Sequence, residues 1–207
     1  MKWQALLEEK NLQFKIDYNI NPQANVLALR ENDNLDYLHW SLIPFWSKTV
    51  KLKYSLFNAR IEGIESKPSF REAFKKRHAL IPANSYFEWR EENGHKRPYN
   101  IALPDHETFC FAGLWEHWQQ GDSEITSCTI ITTEAIVKMQ SLHQRMPLII
   151  NPKNYERWLD VDHLSAEESL ELLRDNSVYE DISFYPVSTL VSNPRNNDPQ
   201  CIEPLSA

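Results

Sequence analysis

Phe109-Cys110-Phe111-Ala112-Gly113-Leu114-Trp115 is an unbroken apolar run, and Ser127-Cys128-Thr129-Ile130-Ile131-Thr132 follows it after a polar interval. Both are too short for a globular helix and rich in aromatic or β-branched residues, so both read as strands. Similar short runs precede them at 79–81, 85–89 and 98–103, broken by turn residues such as Asn93-Gly94. Nearer the N-terminus, Val26 to Arg30 and Leu35 to Trp40 flank the polar Glu31-Asn32-Asp33-Asn34, the pattern of a hairpin. Pro68 to Lys76 reads as a helix, with proline in the first turn and Phe70 and Phe74 on one face. Glu134 to Leu142 also has helical period, with Ile136 and Met139 on one side. A strand is expected at 147–150, helices at about 152–159 and 165–175, and a last strand from Phe184 to Val187. Strands clustered centrally with short helices between them predict an α+β fold. The expected architecture is one domain over residues 1–207, an antiparallel, barrel-like β core flanked by short helices.

Composition narrows the function classes. The 207 residues are 42% hydrophobic, enough for one substantial core. No run of about 18 apolar residues exists, so no membrane-spanning helix is expected. The start, Met1 to Phe14, contains acidic residues and reads as an amphipathic helix with Trp3, Leu6, Leu7 and Leu12 on one face, not as a secretory signal. Cys110, Cys128 and Cys201 have no CxxC spacing, and the first two sit in β-like apolar stretches. They read as reduced core thiols, which points to the cytoplasm. Only four glycines occur, none in a phosphate-binding loop, and no HExxH, Cys/His cluster or GxSxG elbow appears. No metal and no cofactor is therefore expected.

The net charge of −7 argues against a generic polyanion binder, but it is unevenly spread. Residues 1–100 carry 16 Lys and Arg against 12 Asp and Glu, whereas residues 101–207 carry 6 against 17. Within 48–97 the count is 12 against 6. Screening confines each charge to about 8–10 Å, so a local basic groove on an acidic protein can still hold phosphates. A solvated face would show the same counts.

Three polar segments lie in apolar surroundings. Asn58 follows Leu56-Phe57 at the end of a β-like run, where a turn-closing amide is the plain alternative to a functional one. Glu88 lies between Phe87 and Trp89, and strand alternation puts it on the face opposite both aromatics. There it either meets water or lines a pocket, in which case desolvation would raise its pKa into the range useful for proton transfer. His143 stands between a helical pattern and the Pro147-Leu148-Ile149-Ile150 run, as a structural imidazole or one that projects into a cleft. Arg60 and Arg145 suit phosphate oxygens, although single arginines are commonly surface charges.

Taken in order, the segments resemble the SOS response-associated peptidase family, the abasic-site processing proteins. The resemblance rests on Tyr18-Asn19-Ile20-Asn21-Pro22, Trp40-Ser41-Leu42-Ile43-Pro44-Phe45-Trp46, Asn58-Ala59-Arg60 and Pro68-Ser69-Phe70-Arg71-Glu72-Ala73-Phe74. It continues through Leu80-Ile81-Pro82-Ala83, Phe87-Glu88-Trp89, Ala112-Gly113-Leu114-Trp115-Glu116, His143-Gln144-Arg145-Met146-Pro147, Tyr185-Pro186-Val187-Ser188 and Asn193-Pro194-Arg195-Asn196. The resemblance implies recognition of abasic sites in single-stranded DNA by a monomer. It also implies covalent trapping, in which the α-amine and thiolate of an N-terminal Cys capture the ring-opened sugar as a thiazolidine. Asn58 would hold the N-terminal residue, Glu88 would position and deprotonate its amine, and His143 would move a proton at the sugar ring oxygen. Arg60 and Arg145 would clamp phosphates, and Trp46 would support a flanking base.

One part of the family pattern differs. The family begins Met-Cys-Gly-Arg-Phe, whereas this chain begins Met1-Lys2-Trp3, with 17 residues before the Tyr18 segment. Three expectations follow: the natural start lies upstream, the protein binds abasic DNA without trapping it, or the Met1 amine or a lysine forms an imine and supports strand cleavage with Glu88 as base. A non-catalytic reader of single-stranded or modified DNA is the alternative from another functional class.

Overall fold

The structure, a computed structural model, describes residues 16–175 and 177–205. The amphipathic helix expected over Trp3 to Leu12, and the Met1-Lys2-Trp3 start, lie outside the described residues. Eleven strands are described: β1 (Asn25–Arg30), β2 (Asn34–Trp40), β3 (Asn58–Arg60), β4 (His78–Ala83), β5 (Ser85–Glu92), β6 (His95–Ala102), β7 (Phe109–Gln120), β8 (Ser123–Glu134), β9 (Arg145–Pro147), β10 (Ile149–Ile150) and β11 (Ser183–Pro186). Three short α-helices, α1 (Arg71–Lys76), α2 (Tyr155–Leu159) and α3 (Ala166–Leu172), pack around them. Among the described residues no helix is long and apolar enough to cross a membrane.

The strands β7-β4-β1-β2-β8 pair in that order, and β8 pairs back onto β7, so five strands close into a barrel. The closure is antiparallel except at β2–β8, where His39 and Trp40 run parallel to Ser127 and Cys128. A separate three-stranded sheet, β11-β6-β5, carries Glu88. The β1–β2 hairpin lies within one residue of the expected boundaries, each strand beginning one residue earlier, with Arg30 opposite Asn34. Its turn holds Asn32 at φ 56° and Asp33 at φ 54°, a left-handed conformation that Asn and Asp tolerate better than most residues.

The near-continuous apolar runs have a physical reason: both faces of the barrel strands are covered. Along β7, Cys110, Ala112 and Leu114 enter one core with Phe74 of α1 and Trp158 of α2. Phe109 and Phe111 enter a second core with Tyr99 and Ile101 of β6. Cys110, Cys128 and Cys201 are free and fully buried. Burial pushes the Cys110 thiol up to about 12 and Cys128 higher still, so neither is a ready nucleophile.

One sequence expectation is corrected. The helix expected over Glu134 to Leu142 is absent: β8 runs through Glu134, and only a 3₁₀ turn, Val137–Met139, follows. Pairing with β9 holds this end of β8 extended, Thr132 opposite Pro147 and Glu134 opposite Arg145. Ile136 and Met139 still point inward, packing against or within the second core.

Gly113 marks the place where β7 faces both neighbours, opposite Ala79 of β4 and Ile130 of β8. A Cβ there would meet Ile81 Cδ1 at 2.8 Å and the Thr129 carbonyl oxygen at 3.3 Å. Gly113→Ala is expected to cost about 1–3 kcal/mol through overpacking, measured by urea denaturation. Adding Ile81→Val, which removes Cδ1, is expected to recover part of the loss; no recovery would show that the clash is not with Ile81.

Candidate functional site

Glu88 sits in β5 opposite Tyr99, on the face away from Phe87 and Trp89, whose rings lie 6.5 Å apart on the other side. Its side chain is 23% exposed and its Oε1 lies 4.0 Å from His143 Nδ1. Burial raises the Glu88 pKa above the ordinary carboxylate value, and the His143 imidazole opposes that shift. Thus the pair joins two segments of opposite origin, a strand of the small sheet and the loop that returns from β8.

The His143 loop is closed by Ala135 N–H donating to the Gln144 carbonyl at 3.0 Å. His143 Nδ1 accepts the Arg145 backbone N–H at 3.1 Å and also lies 2.9 Å from the Arg145 carbonyl oxygen. A neutral Nδ1 finds a donor there, and a protonated Nδ1 finds an acceptor. The ring is therefore partnered in either protonation state, which suits a group that exchanges protons.

Asn58 and Arg60 project from β3 on either side of the buried Ala59. The strand runs parallel to β8, placing Arg60 opposite Thr132, the residue that meets Pro147 on the other side. Strands spaced about 4.8 Å apart put β3 and β9 about 10 Å from each other across β8. Sheet register thus gathers Asn58, Arg60 and the 143–147 segment at one end of the barrel. The Asn58 side chain has no hydrogen-bond partner among the described residues.

Arg145 is differently engaged. Its Nη1 and Nη2 donate to the two oxygens of Glu62 at 2.8 and 2.9 Å, and Nη2 also donates to the Thr132 carbonyl at 2.7 Å. The guanidinium holds the Glu62 carboxyl below its ordinary pKa. Sequence reading missed Glu62 because an acidic residue before Gly63 looks like any loop carboxylate.

Trp46 lies apart from the Glu88–His143 pair. It is 54% exposed beside Phe45, which is 50% exposed. Its indole N–H donates to the Pro68 carbonyl at 3.3 Å. Phe45, Trp46, Pro68, Arg71 and Glu72 line an open cleft of about 400 Å³. The loop beyond it exposes Lys48, Lys51 and Lys53, and no acidic residue occurs from Tyr37 to Ile61. Among the described residues no three His, Cys, Asp or Glu side chains converge to hold a metal ion.

The sequence matches the profile of the SOS response associated peptidase (SRAP) family over residues 1–194. The chain belongs to the SRAP family. Among its relatives, the abasic site processing protein YoqW of Bacillus subtilis is 36% identical over 196 residues, covering 92% of this chain and 87% of the relative. The abasic site processing protein HMCES of Xenopus tropicalis is 27% identical over 236 residues, covering 97% and 70%. A crystal structure of a Bacteroides thetaiotaomicron protein superposes with a TM-score of 0.79 at 29% identity, over 90% of this chain and 84% of that one. The closed barrel with its second sheet is thus the scaffold on which this SRAP chain carries Glu88 and His143.

Proposed function

We propose that this protein recognises abasic sites in single-stranded DNA and acts on them through Glu88 and His143, as one domain, monomeric and cytoplasmic. The observation that carries the reading is the partly desolvated Glu88 carboxylate 4.0 Å from His143, beside a strand that presents Asn58 and Arg60 to solvent. A carboxylate with a raised pKa and an imidazole partnered in either protonation state supply a base and an acid for opening the sugar to its aldehyde and for deprotonating an attacking amine. Asn58 has its amide free to hold that amine. Arg60 contacts a phosphate beside the lesion, and Trp46, with Phe45, offers a stacking face for a neighbouring base. An abasic nucleotide suits such a site because the missing base removes the unstacking cost. The relatives named as abasic site processing proteins support this reading. Cys110, Cys128 and Cys201 carry no free α-amine and are buried, so none of them would close a thiazolidine.

The test mixes the protein with single strands that are identical except for one abasic site. Preferential binding of the abasic strand in a native gel is expected, and a denaturing gel reads whether an adduct or a cut strand forms. Equal affinity for both strands would overturn the reading. Arg60→Ala is expected to weaken binding of both strands and to lower the slope of log K against log salt by about 0.7, the share of one phosphate contact on a single strand.

A further inference from the structure

We infer that Glu62 is a positioning residue of this site: it locks the Arg145 guanidinium as a strut that places His143 beside Glu88. The inference rests on the proposed role of that pair.

Arg145 offers five N–H groups. Two are taken by Glu62 and a third by the Thr132 carbonyl, and the Nε–H is buried without a partner. No two-pronged edge remains for a phosphate while Glu62 is in place. The side chain is only 20% exposed, whereas Glu62 is 52% exposed. An arginine this enclosed, with three of its five N–H groups engaged, braces structure. Arg60, exposed on β3, is open to a phosphate.

What the strut joins is visible in the chain path. Glu62 follows β3 by two residues, Thr132 belongs to β8, and Arg145 opens β9. The Thr132 carbonyl accepts both the Arg145 guanidinium and the Ile61 backbone N–H, the latter at 2.9 Å. Three strand ends therefore meet at one guanidinium. The main chain of the same arginine cradles His143 Nδ1 through its N–H and its carbonyl. Whatever fixes the Arg145 side chain also fixes the imidazole.

Glu62 is itself held. Gly63 turns the chain at φ 69° and Ile64 is fully buried. Lys67 Nζ donates to the Glu62 carbonyl at 2.7 Å, and Ser66 Oγ donates to the Gly63 carbonyl at 2.9 Å. A carboxylate on so braced a turn is preorganised for its arginine.

The test uses the full chain with Glu62→Gln, Glu62→Asp and Arg60→Ala. The first readout, proton NMR titration of the His143 imidazole, needs no DNA. Glu62→Gln is expected to broaden the His143 resonance and move its titration midpoint by at least 0.3 pH units, with Glu62→Asp returning it toward wild type. The folded spectrum elsewhere stays unchanged. The second readout is binding and reaction with abasic single-stranded DNA. Here Glu62→Gln is expected to slow product formation, where product forms, at least tenfold and to shift its pH profile. Affinity stays within about twofold and the salt slope is unaltered, in contrast to Arg60→Ala. An unmoved His143 titration would overturn the inference. So would tighter binding with a steeper salt slope in Glu62→Gln, which would mean that the carboxylate occupies a phosphate position on Arg145. If wild type ignores abasic DNA while His143 still responds to Glu62→Gln, the abasic-site reading fails and the strut stands.

Discussion

Glu88→Gln is expected to reduce any product formed with abasic single-stranded DNA at least a hundredfold while leaving affinity within about threefold. General acid–base groups contribute about 10²–10⁴ in rate, and the amide keeps the shape of the carboxylate without its basicity. The proposed phosphate contact, by contrast, is Arg60, so binding is expected to survive. The pH dependence has a definite sign. Burial raises the Glu88 pKa, so its basic form appears later on the pH axis than for an ordinary carboxylate, and activity rises through that raised value. Because the folded state prefers the protonated acid, ionisation at neutral pH works against folding. Glu88→Gln removes that opposition, and its melting temperature at pH 7 is expected to equal or exceed that of wild type. A variant that loses stability and DNA affinity together would show Glu88 to be structural. Activity assays and thermal melts on the same preparations decide between these outcomes.

Local order explains which features were legible in the sequence. The β1–β2 hairpin was legible because two apolar-rich runs flank the polar Glu31-Asn32-Asp33-Asn34, whose Asn32 and Asp33 suit the left-handed turn that sets the register. The α1 helix was legible from Phe70 and Phe74, which are 7% and 1% exposed. The face of Glu88 followed from strand alternation alone. The 134–142 segment was misread because its periodic apolar residues serve a loop whose shape is set by β9, a partner that local propensity cannot see. The same limit applies to the candidate site. Glu88 and His143 are brought together by sheet packing, with no regular spacing between them, so residue order could suggest their meeting only through the family resemblance. Glu62 shows the limit most sharply. Its significance lies in a guanidinium from a distant strand, and nothing in the Ile61-Glu62-Gly63 sequence points to it.

Trp158→Ala is expected to be the most destabilising single change away from the site, at about 3–5 kcal/mol. The indole is fully buried and its N–H donates to the Ala79 carbonyl of β4 at 3.0 Å. Removing it leaves a large cavity and an unpaired carbonyl inside the barrel wall. It also uncovers His78, whose ring stacks on Trp158 at 3.7 Å and whose nitrogens face the carbonyls of Trp158 and Phe74 at 2.8 and 2.7 Å. Burial outweighs those two acceptors and lowers the His78 pKa from 6.5 to about 4. The unfolded chain therefore takes up a proton near pH 6.5 that the folded chain refuses until about pH 4. From this group, wild-type stability should fall with decreasing pH across that window, by about 1.4 kcal/mol per pH unit. In Trp158→Ala, water reaching His78 brings its folded pKa back toward the unfolded value, and this component of the slope should shrink. Trp158→Phe keeps a ring over His78 but loses the N–H, so it should retain most of the slope at a smaller loss of stability. Urea midpoints at several pH values separate the two effects: a common slope in all three proteins would mean that His78 is not the titrating group, while the loss at neutral pH would still report the cavity.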